Sequence, residues 1–425
     1  MIPGRHVGGH RGPGRRSDAL VAGGSSGQAE GAMPAPCFEE EYPVRGVAVR
    51  TEAPVDAVKC VSAVLARAFE QGASDIHFEP TEHGLLVRFR LDGVLHDMET
   101  VPRSLAENVI ARLKVMAGLL TYRADIPQEG ALSLDGAWAD PQAGTPDIRV
   151  ATFPTIRGER AVVRIFRASQ EVRELGDLGL PPDVVATLQQ AAERPDGMIL
   201  MTGPAGAGKS TTLYAVTRHI LRATPGRSVV ALEDPVEQRV DGVTQIQIAP
   251  HGELDYPRAM RSLLRQDPQV LLIGEVRDAA TAAVVIEAAL TGHLLLTTMH
   301  SGDTAEALVR LLEMGVPGYQ VVSTVSVVCS QRLLRTLCPA CGRGSDRGGC
   351  ETCKGSGYHG RTAIAEMLTM TERLREAILA APSVSGIREI GAAQGENLIE
   401  AASGLVSAGR TDADEVRRVL GHEPK

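Results

Sequence analysis

A chain of 425 residues, 43% of them hydrophobic and 23% charged, has room for two or three domains, each with its own core, and has the make-up of a globular protein. Aromatics amount to 3%, so the cores must be built from Val, Leu, Ile and Ala; no apolar run approaches the roughly 18 residues that span a bilayer, leaving only peripheral membrane association. The formal net charge of −8 argues against nucleic acid as the main partner, because such proteins carry a basic excess that displaces counterions.

The first 36 or so residues are rich in Gly, Pro, Ser and Arg and lack apolar periodicity, so they cannot offset the entropy of folding; residues 1–54 are read as disordered chain or linker. Arg5, Arg11, Arg15 and Arg16 fit a solvated tail better than a lipid or nucleic-acid contact, and the stretch has no apolar core of a signal peptide. Helical spacing follows over 55–69. Two strands, 85–91 and 94–98, flank Asp92-Gly93, a pair suited to a tight hairpin turn. A helix over 104–117 and short strands over 148–152 and 160–166 complete a small α+β domain spanning 55–170.

Residues 171–196, with Pro181-Pro182 and Pro195, read as a linker plus one helix. Beyond them, apolar runs at 198–201, 228–232, 270–273 and 294–297 alternate with helical stretches at 209–221, 279–290 and 304–314. Buried strands alternating with helices predict an α/β domain with a parallel sheet covered on both faces.

Within that domain Gly203-Pro204-Ala205-Gly206-Ala207-Gly208-Lys209-Ser210, followed by Thr211, matches G-x-x-x-x-G-K-[ST] between a strand and a helix. The glycines let backbone N–H groups wrap the phosphates of ATP, and the helix start adds its positive dipole end. Lys209 is expected to pair with the β- and γ-phosphates and Ser210 to ligate Mg²⁺. The strand over 270–273 runs into Gly274-Glu275, and a carboxylate at the carboxyl end of a neighbouring parallel strand faces the same crevice as the loop. Glu275 is expected to position Mg²⁺ or to polarise the attacking water.

These motifs stand among others that are similar to those of the type II secretion and type IV pilus assembly ATPases. Ala231-Leu232-Glu233-Asp234-Pro235-Val236-Glu237 resembles their acidic "Asp box". Leu264-Arg265-Gln266-Asp267-Pro268, continuing to Ile273-Gly274-Glu275-Val276-Arg277-Asp278, resembles their Walker B region, and Thr291-Gly292-His293, continuing to Thr297-Thr298-Met299-His300-Ser301, their "His box". The resemblance extends upstream to 73–80 and 147–167 and covers about residues 55–370. It implies a RecA-like ATPase core over 197–335, a PAS-like N-terminal α+β domain over 55–170 and assembly as a homo-hexameric ring.

By the same resemblance Glu233 sits near the metal-bound water, Glu275 is the catalytic acid and His300 senses the γ-phosphate. For His293 a structural role is preferred over a catalytic one. Arginine suits the charge that develops on a transferring phosphoryl group. In the family, arginines of the N-terminal domain reach the nucleotide, and Arg149 and Arg164 occupy matching strand positions, with a plain role as strand-face charges left open. Arg88 and Arg90 are less favoured.

The chain has 7 cysteines. Cys338 and Cys341, with Cys350 and Cys353, form two Cys-x-x-Cys knuckles, a metal pattern rather than a disulfide framework. Four thiolates with no open position indicate a structural Zn²⁺ in a module over 336–362, the competing readings being a redox pair or idle thiols. The following Gly357-Tyr358-His359-Gly360-Arg361-Thr362 resembles the family's text after its tetracysteine motif, which favours an assembly-type over a retraction-type ATPase. Cys60 and Cys329 lie in apolar stretches and read as core, and 363–425 as a helical region.

The resemblance implies a motor on the cytoplasmic side, peripheral to the inner membrane, acting on an integral platform protein. Members often carry a further N-terminal domain that docks to a membrane-anchored protein, and here about 55 residues stand in its place. A DNA-handling or type IV secretion relative is the alternative enzyme, and a catalytically inactive nucleotide-binding scaffold the alternative of another class.

Overall fold

The computed structural model describes residues 56–132, 147–166, 173–248, 254–342 and 350–421. The expected disordered segment 1–54 and Cys37 lie outside the described residues. No helix among the described residues is long and apolar enough to cross a membrane.

The N-terminal domain follows from strict alternation. Its elements are α1 (Ala57–Glu70), β1 (Asp75–Pro80), β2 (Gly84–Leu91), β3 (Val94–Pro102), α2 (Arg103–Met116), β4 (Gln128–Ala131), β5 (Asp147–Thr155) and β6 (Gly158–Phe166). The strands form one antiparallel sheet in the order β3-β2-β1-β6-β5-β4. Successive side chains leave a strand on opposite faces. Ile76, Phe78, Val87, Phe89, Val150 and Val163 therefore pack together with Val64 and Leu65 of α1 and Val109 and Leu113 of α2. Asp75, His77 and Glu79 take the other face with Arg88, Arg90, Arg160 and Arg164, to which they are paired across the strands. Asp92 (φ 47°) and Gly93 (φ 84°) turn the β2–β3 hairpin, both in the left-handed region that a two-residue turn requires.

After a short 3₁₀ turn and α3 (Pro182–Glu193), the second domain runs through β7 (Gly197–Thr202), α4 (Lys209–Ala223), β8 (Val229–Glu233), β9 (Thr244–Gln247), α5 (Tyr256–Leu263), β10 (Val270–Ile273), α6 (Ala279–Leu290) and β11 (Leu294–Met299). It continues with α7 (Thr304–Glu313), α8 (Gly318–Thr324), β12 (Val325–Leu337) and β13 (Tyr358–Thr369), and ends in α9 (Glu372–Ala380), α10 (Val384–Ala392), α11 (Leu398–Ser407) and α12 (Ala413–Leu420). The sheet order is β13-β12-β7-β11-β10-β8-β9, parallel throughout except for β13. Both faces are covered. Met198, Leu200, Leu232, Leu271, Ile273 and Leu295 join one core, whereas Ile199, Met201, Ala231, Leu272 and Leu296 join the other, against Leu213, Val216 and Ile220 of α4.

The β12–β13 hairpin is the main departure from what periodicity suggested. Residues 358–369, which span the end of the cysteine segment and the start of the expected helical region, form a strand of the main sheet. The cysteine knuckles lie at the tip of this hairpin. Its outer side is covered by α11 and α12 through Leu334, Ile364, Leu398, Ala402 and Val416. Just below the tip the Arg335 guanidinium stacks 3.9 Å from the Tyr358 ring centroid and binds the fully buried Glu415 at 2.8 Å. The two domains touch at the hairpin turn, where Asp92 Oδ2 accepts from Gly360 N at 3.1 Å.

Candidate functional site

The crevice forms at the carboxyl ends of β7, β8, β10 and β11. The P-loop leaves β7 at Gly203 and enters α4 at Lys209, with Gly203, Gly206 and Gly208 at φ 141°, 75° and 85°. The backbone requires glycine at the two ends of the loop for space as well as angle. A Cβ on Gly203 would lie 2.5 Å from Gln331 O, and one on Gly208 would lie 2.8 Å from Gln331 Nε2.

Gln331 of β12 is the anchor. Its Nε2 donates to Ala207 O at 2.9 Å and its Oε1 accepts from Thr212 Oγ1 at 2.8 Å, tying the loop and the first turn of α4 to the sheet. Lys209 is 8% exposed and its Nζ donates to Gly203 O at 2.7 Å and Pro204 O at 2.9 Å. Burial pulls its ammonium down to about 8, with Glu275 opposing and the neighbouring Arg332 reinforcing the change. An ammonium held among the described residues by two carbonyls, at a helix start where backbone donors converge, fits a triphosphate that would take those contacts over. Ser210, on the same first turn, could hold Mg²⁺, which when bound would neutralise phosphate charge. The remainder of the cradle, Pro204, Ala205, Gly206 and Thr211, lines the exposed rim.

Glu275 follows β10 and is joined from two sides. Arg277 pairs with its Oε1, and His300 Nε2 lies 3.2 Å from Oε2. The other ring nitrogen of His300 lies 3.2 Å from Gly203 O, so the loop after β11 connects the strand-end acid to the P-loop. Thr202 and Ser301 fix that loop, Ser301 N donating to Thr202 Oγ1 at 3.1 Å. His293 sits at the opposite end of β11, donating from Nδ1 to Ala288 O at 2.9 Å.

Glu233 ends β8 and is 4% exposed. Tyr214 of α4 donates to its Oε2, and Gln245 of β9 donates to Oε1 at 3.0 Å. Burial raises its carboxyl against the pull of those two donors. Beside the loop opens a cleft of about 650 Å³ lined by Gly203, Pro204, His300, Gly302, Arg310 and Arg332. The structure thus brings Lys209, Glu275 and His300 together, with Glu233 attached through the P-loop helix. Arg149 and Arg164 are engaged in the N-terminal sheet instead: they face one another across β5 and β6, Arg164 Nε lies 3.0 Å from Asp75 Oδ1, and Arg149 sits 5.4 Å from the Phe166 ring centroid.

Gln331, Tyr214 and Gln245 were not among the expected site residues. The signal for Gln331 was there in the polar break Ser330-Gln331-Arg332 within an otherwise apolar run; for the other two, only the fold reveals what they touch.

The four knuckle cysteines have their sulfurs within 4.8 Å of one another. Cys338–Cys350 and Cys341–Cys353 are 3.8 Å apart and Cys350–Cys353 3.9 Å. Tetrahedral zinc at its usual sulfur distance of about 2.3 Å demands edges of about 3.8 Å, so the set fits a structural Zn²⁺. Gly357 N donates to Cys353 Sγ at 3.3 Å, the kind of outer contact that orients a thiolate ligand.

The profile of the family described as "Type II/IV secretion system protein" matches residues 50–418. The chain is 35% identical to the type II secretion system ATPase E of Vibrio cholerae over 89% of its length and 78% of that protein. It is 38% identical to the type IV pilus assembly ATPase PilB of Thermus thermophilus over 85% of its length, but spans only 42% of that longer protein. The Yersinia pseudotuberculosis ATPase DotB shares its fold, with a TM-score of 0.67 and 23% identity over 90% of this chain and 100% of that one. The chain belongs to the type II/IV secretion system protein family and is one of its ATPases.

Proposed function

We propose that the protein is a motor that hydrolyses ATP as a ring of six copies and drives assembly of a pseudopilus or pilus. It works from the cytoplasmic side of the inner membrane on an integral platform protein, with a membrane-anchored docking protein as a further candidate contact. ATP and Mg²⁺ bind over residues 203–211, Glu275 orients the attacking water, and Glu233 steadies the metal-side water. His300 reads the γ-phosphate, and Arg149 and Arg164 supply cationic charge from the N-terminal domain of an adjoining copy. Cys338, Cys341, Cys350 and Cys353 hold one Zn²⁺ that stiffens the β12–β13 tip.

One observation carries this reading: a single imidazole spans Glu275 and the P-loop carbonyl of Gly203, at 3.2 Å on each side. Nucleotide chemistry at the loop is therefore coupled directly to the acid. The sequence relatives named for secretion and pilus assembly supply the choice of cargo.

The test is turnover by purified protein, with mass measured in solution with and without nucleotide. Lys209→Ala should lose nucleotide binding, and Glu275→Gln should bind without turnover, within a six-copy ring. Wild-type protein that binds ATP without hydrolysing it would show a scaffold, and hydrolysis stimulated by DNA would show a different machine.

A further inference from the structure

Tyr256 opens α5, whose first turn is capped by Asp255 accepting from Arg258 N at 2.8 Å. The ring packs against the larger core of the second domain and carries its hydroxyl to the ends of β8 and β10. Gly274 fixes where that hydroxyl lies. A Cβ on Gly274 would stand 2.9 Å from Tyr256 Oη, 3.4 Å from Leu232 O and 3.5 Å from Glu233 Cα. The oxygen thus occupies the point where the strand ends bearing Glu233 and Glu275 converge.

It is buried there, with no hydrogen-bond partner among the described residues. Burial, then the charges of Asp234 and Glu275, push its ionisation far up, so the hydroxyl keeps its proton and has it to donate. A buried donor left unmade is destabilising and calls for a reason. The carboxylates on either side are already served. Glu233 takes donors from Tyr214 and Gln245, and Glu275 is held by Arg277 and His300. Those last two are groups that a triphosphate would attract, and their departure would take from Glu275 the donors it has among the described residues.

We propose that Tyr256 is a positioning residue of the hydrolytic site, its hydroxyl donating to the Glu275 carboxylate when bound nucleotide draws Arg277 and His300 toward phosphate. The hydroxyl then holds one carboxylate oxygen while the other faces the attacking water. This rests on the reading of Glu275 given above, and the experiment separates the two.

Tyr256→Phe removes the hydroxyl and keeps the ring. Its kcat should fall about ten- to a hundredfold, the range for a hydrogen bond to a charged group, with KM within about twofold. A second readout does not depend on turnover. The ligand-free variant should melt at or above the wild-type temperature, since an unpaired buried group is gone, while the rise in Tm given by a non-hydrolysable magnesium–ATP analogue should shrink. Unchanged kcat in Tyr256→Phe beside an inactive Glu275→Gln control overturns the inference alone. Normal turnover by Glu275→Gln overturns it together with the reading of Glu275. An equal fall in melting temperature with and without the analogue also overturns it, because the hydroxyl would then be structural.

Discussion

His300 Nε2 lies 3.2 Å from Glu275 Oε2, and the opposite nitrogen of the same ring lies 3.2 Å from Gly203 O. Both neighbours accept hydrogen bonds, so a neutral imidazole can serve only one and a doubly protonated ring serves both. The bridge makes Glu275 sensitive to whatever the first P-loop residue contacts. His300→Ala should lower kcat by about 10² with a small change in KM, and Glu275→Gln by about 10² to 10⁴. Because the two act as one unit, the double variant should be little worse than Glu275→Gln alone. Steady-state kinetics of the three variants checks this, and additive losses would separate their roles.

Lys209 gives a pH signature. Its ammonium is pulled from the ordinary 10.5 to about 8 by burial, so between those values the unfolded chain holds more proton than the folded one. This group therefore makes ligand-free stability rise with pH across that window. Phosphate restores the charge, so binding above pH 8 should take up a proton and weaken as pH rises. Titration calorimetry of a non-hydrolysable ATP analogue in buffers of different ionisation heat, at pH 8.5 to 9, measures the uptake; binding heat independent of buffer would contradict it.

The anchor on β12 can be tested apart from the chemistry. Gln331→Ala removes two neutral hydrogen bonds from buried partners, which should cost roughly 2 to 4 kcal/mol of stability if the partners are left unpaired. It should also loosen the loop, so nucleotide affinity should fall more than kcat of the saturated enzyme. Urea unfolding with equilibrium binding distinguishes this from a purely catalytic defect.

What the sequence made legible was local. The strand before the P-loop, the strand ending in Glu275 and the strand ending just before His300 each read as an apolar run with a polar residue at its carboxyl end, and parallel pairing brings such ends to one crevice. The hairpin turn at Asp92-Gly93 was equally plain, because few residues tolerate φ of 47° and 84° in succession. The β12–β13 hairpin was not. α8 runs into β12 at Val325 with no glycine or proline between them, so apolar spacing alone marks no boundary there. Tyr214, Gln245 and Tyr256 were hidden for another reason: their meaning lies in which carboxylate they meet, and only the packing of α4, β9 and α5 decides that.

The knuckles predict a separable metal. One Zn²⁺ per chain should be found, and Cys341→Ser should release it and melt the hairpin tip, since ligand binding and local folding are coupled. Nucleotide binding should largely persist because Gln331 lies well inside β12, paired with Ala365 of β13. Elemental analysis with binding assays reads both; protein without zinc, or with coloured iron, would overturn the assignment.

Charge for the phosphoryl group is expected from outside the crevice as well. Lys209 is the P-loop cation, whereas Arg149 and Arg164 stand opposite one another on β5 and β6 in a different domain. Arg164 is now held by Asp75, at 3.0 Å, but Asp75 also receives Arg90 at 3.2 Å. Asp75 would therefore keep a cation if Arg164 left, which lowers the cost of moving that guanidinium to a phosphate. The Arg164 side chain is 64% exposed, as a group that reaches into an adjoining copy must be. If the reach is made, Arg164→Ala should lower turnover by something like the 10³ typical of arginine fingers, Arg149→Ala should act in the same direction, and ATP affinity should change little. Specific activity should rise with protein concentration as rings form. Mixing supplies the decisive arm: Arg164→Ala chains retain an intact P-loop and Lys209→Ala chains retain the arginine, so a mixture should recover activity that neither has alone. Failure of the mixture to recover activity, with mixed rings shown to form, or full turnover by a diluted monomer, would place the needed charge within a single chain.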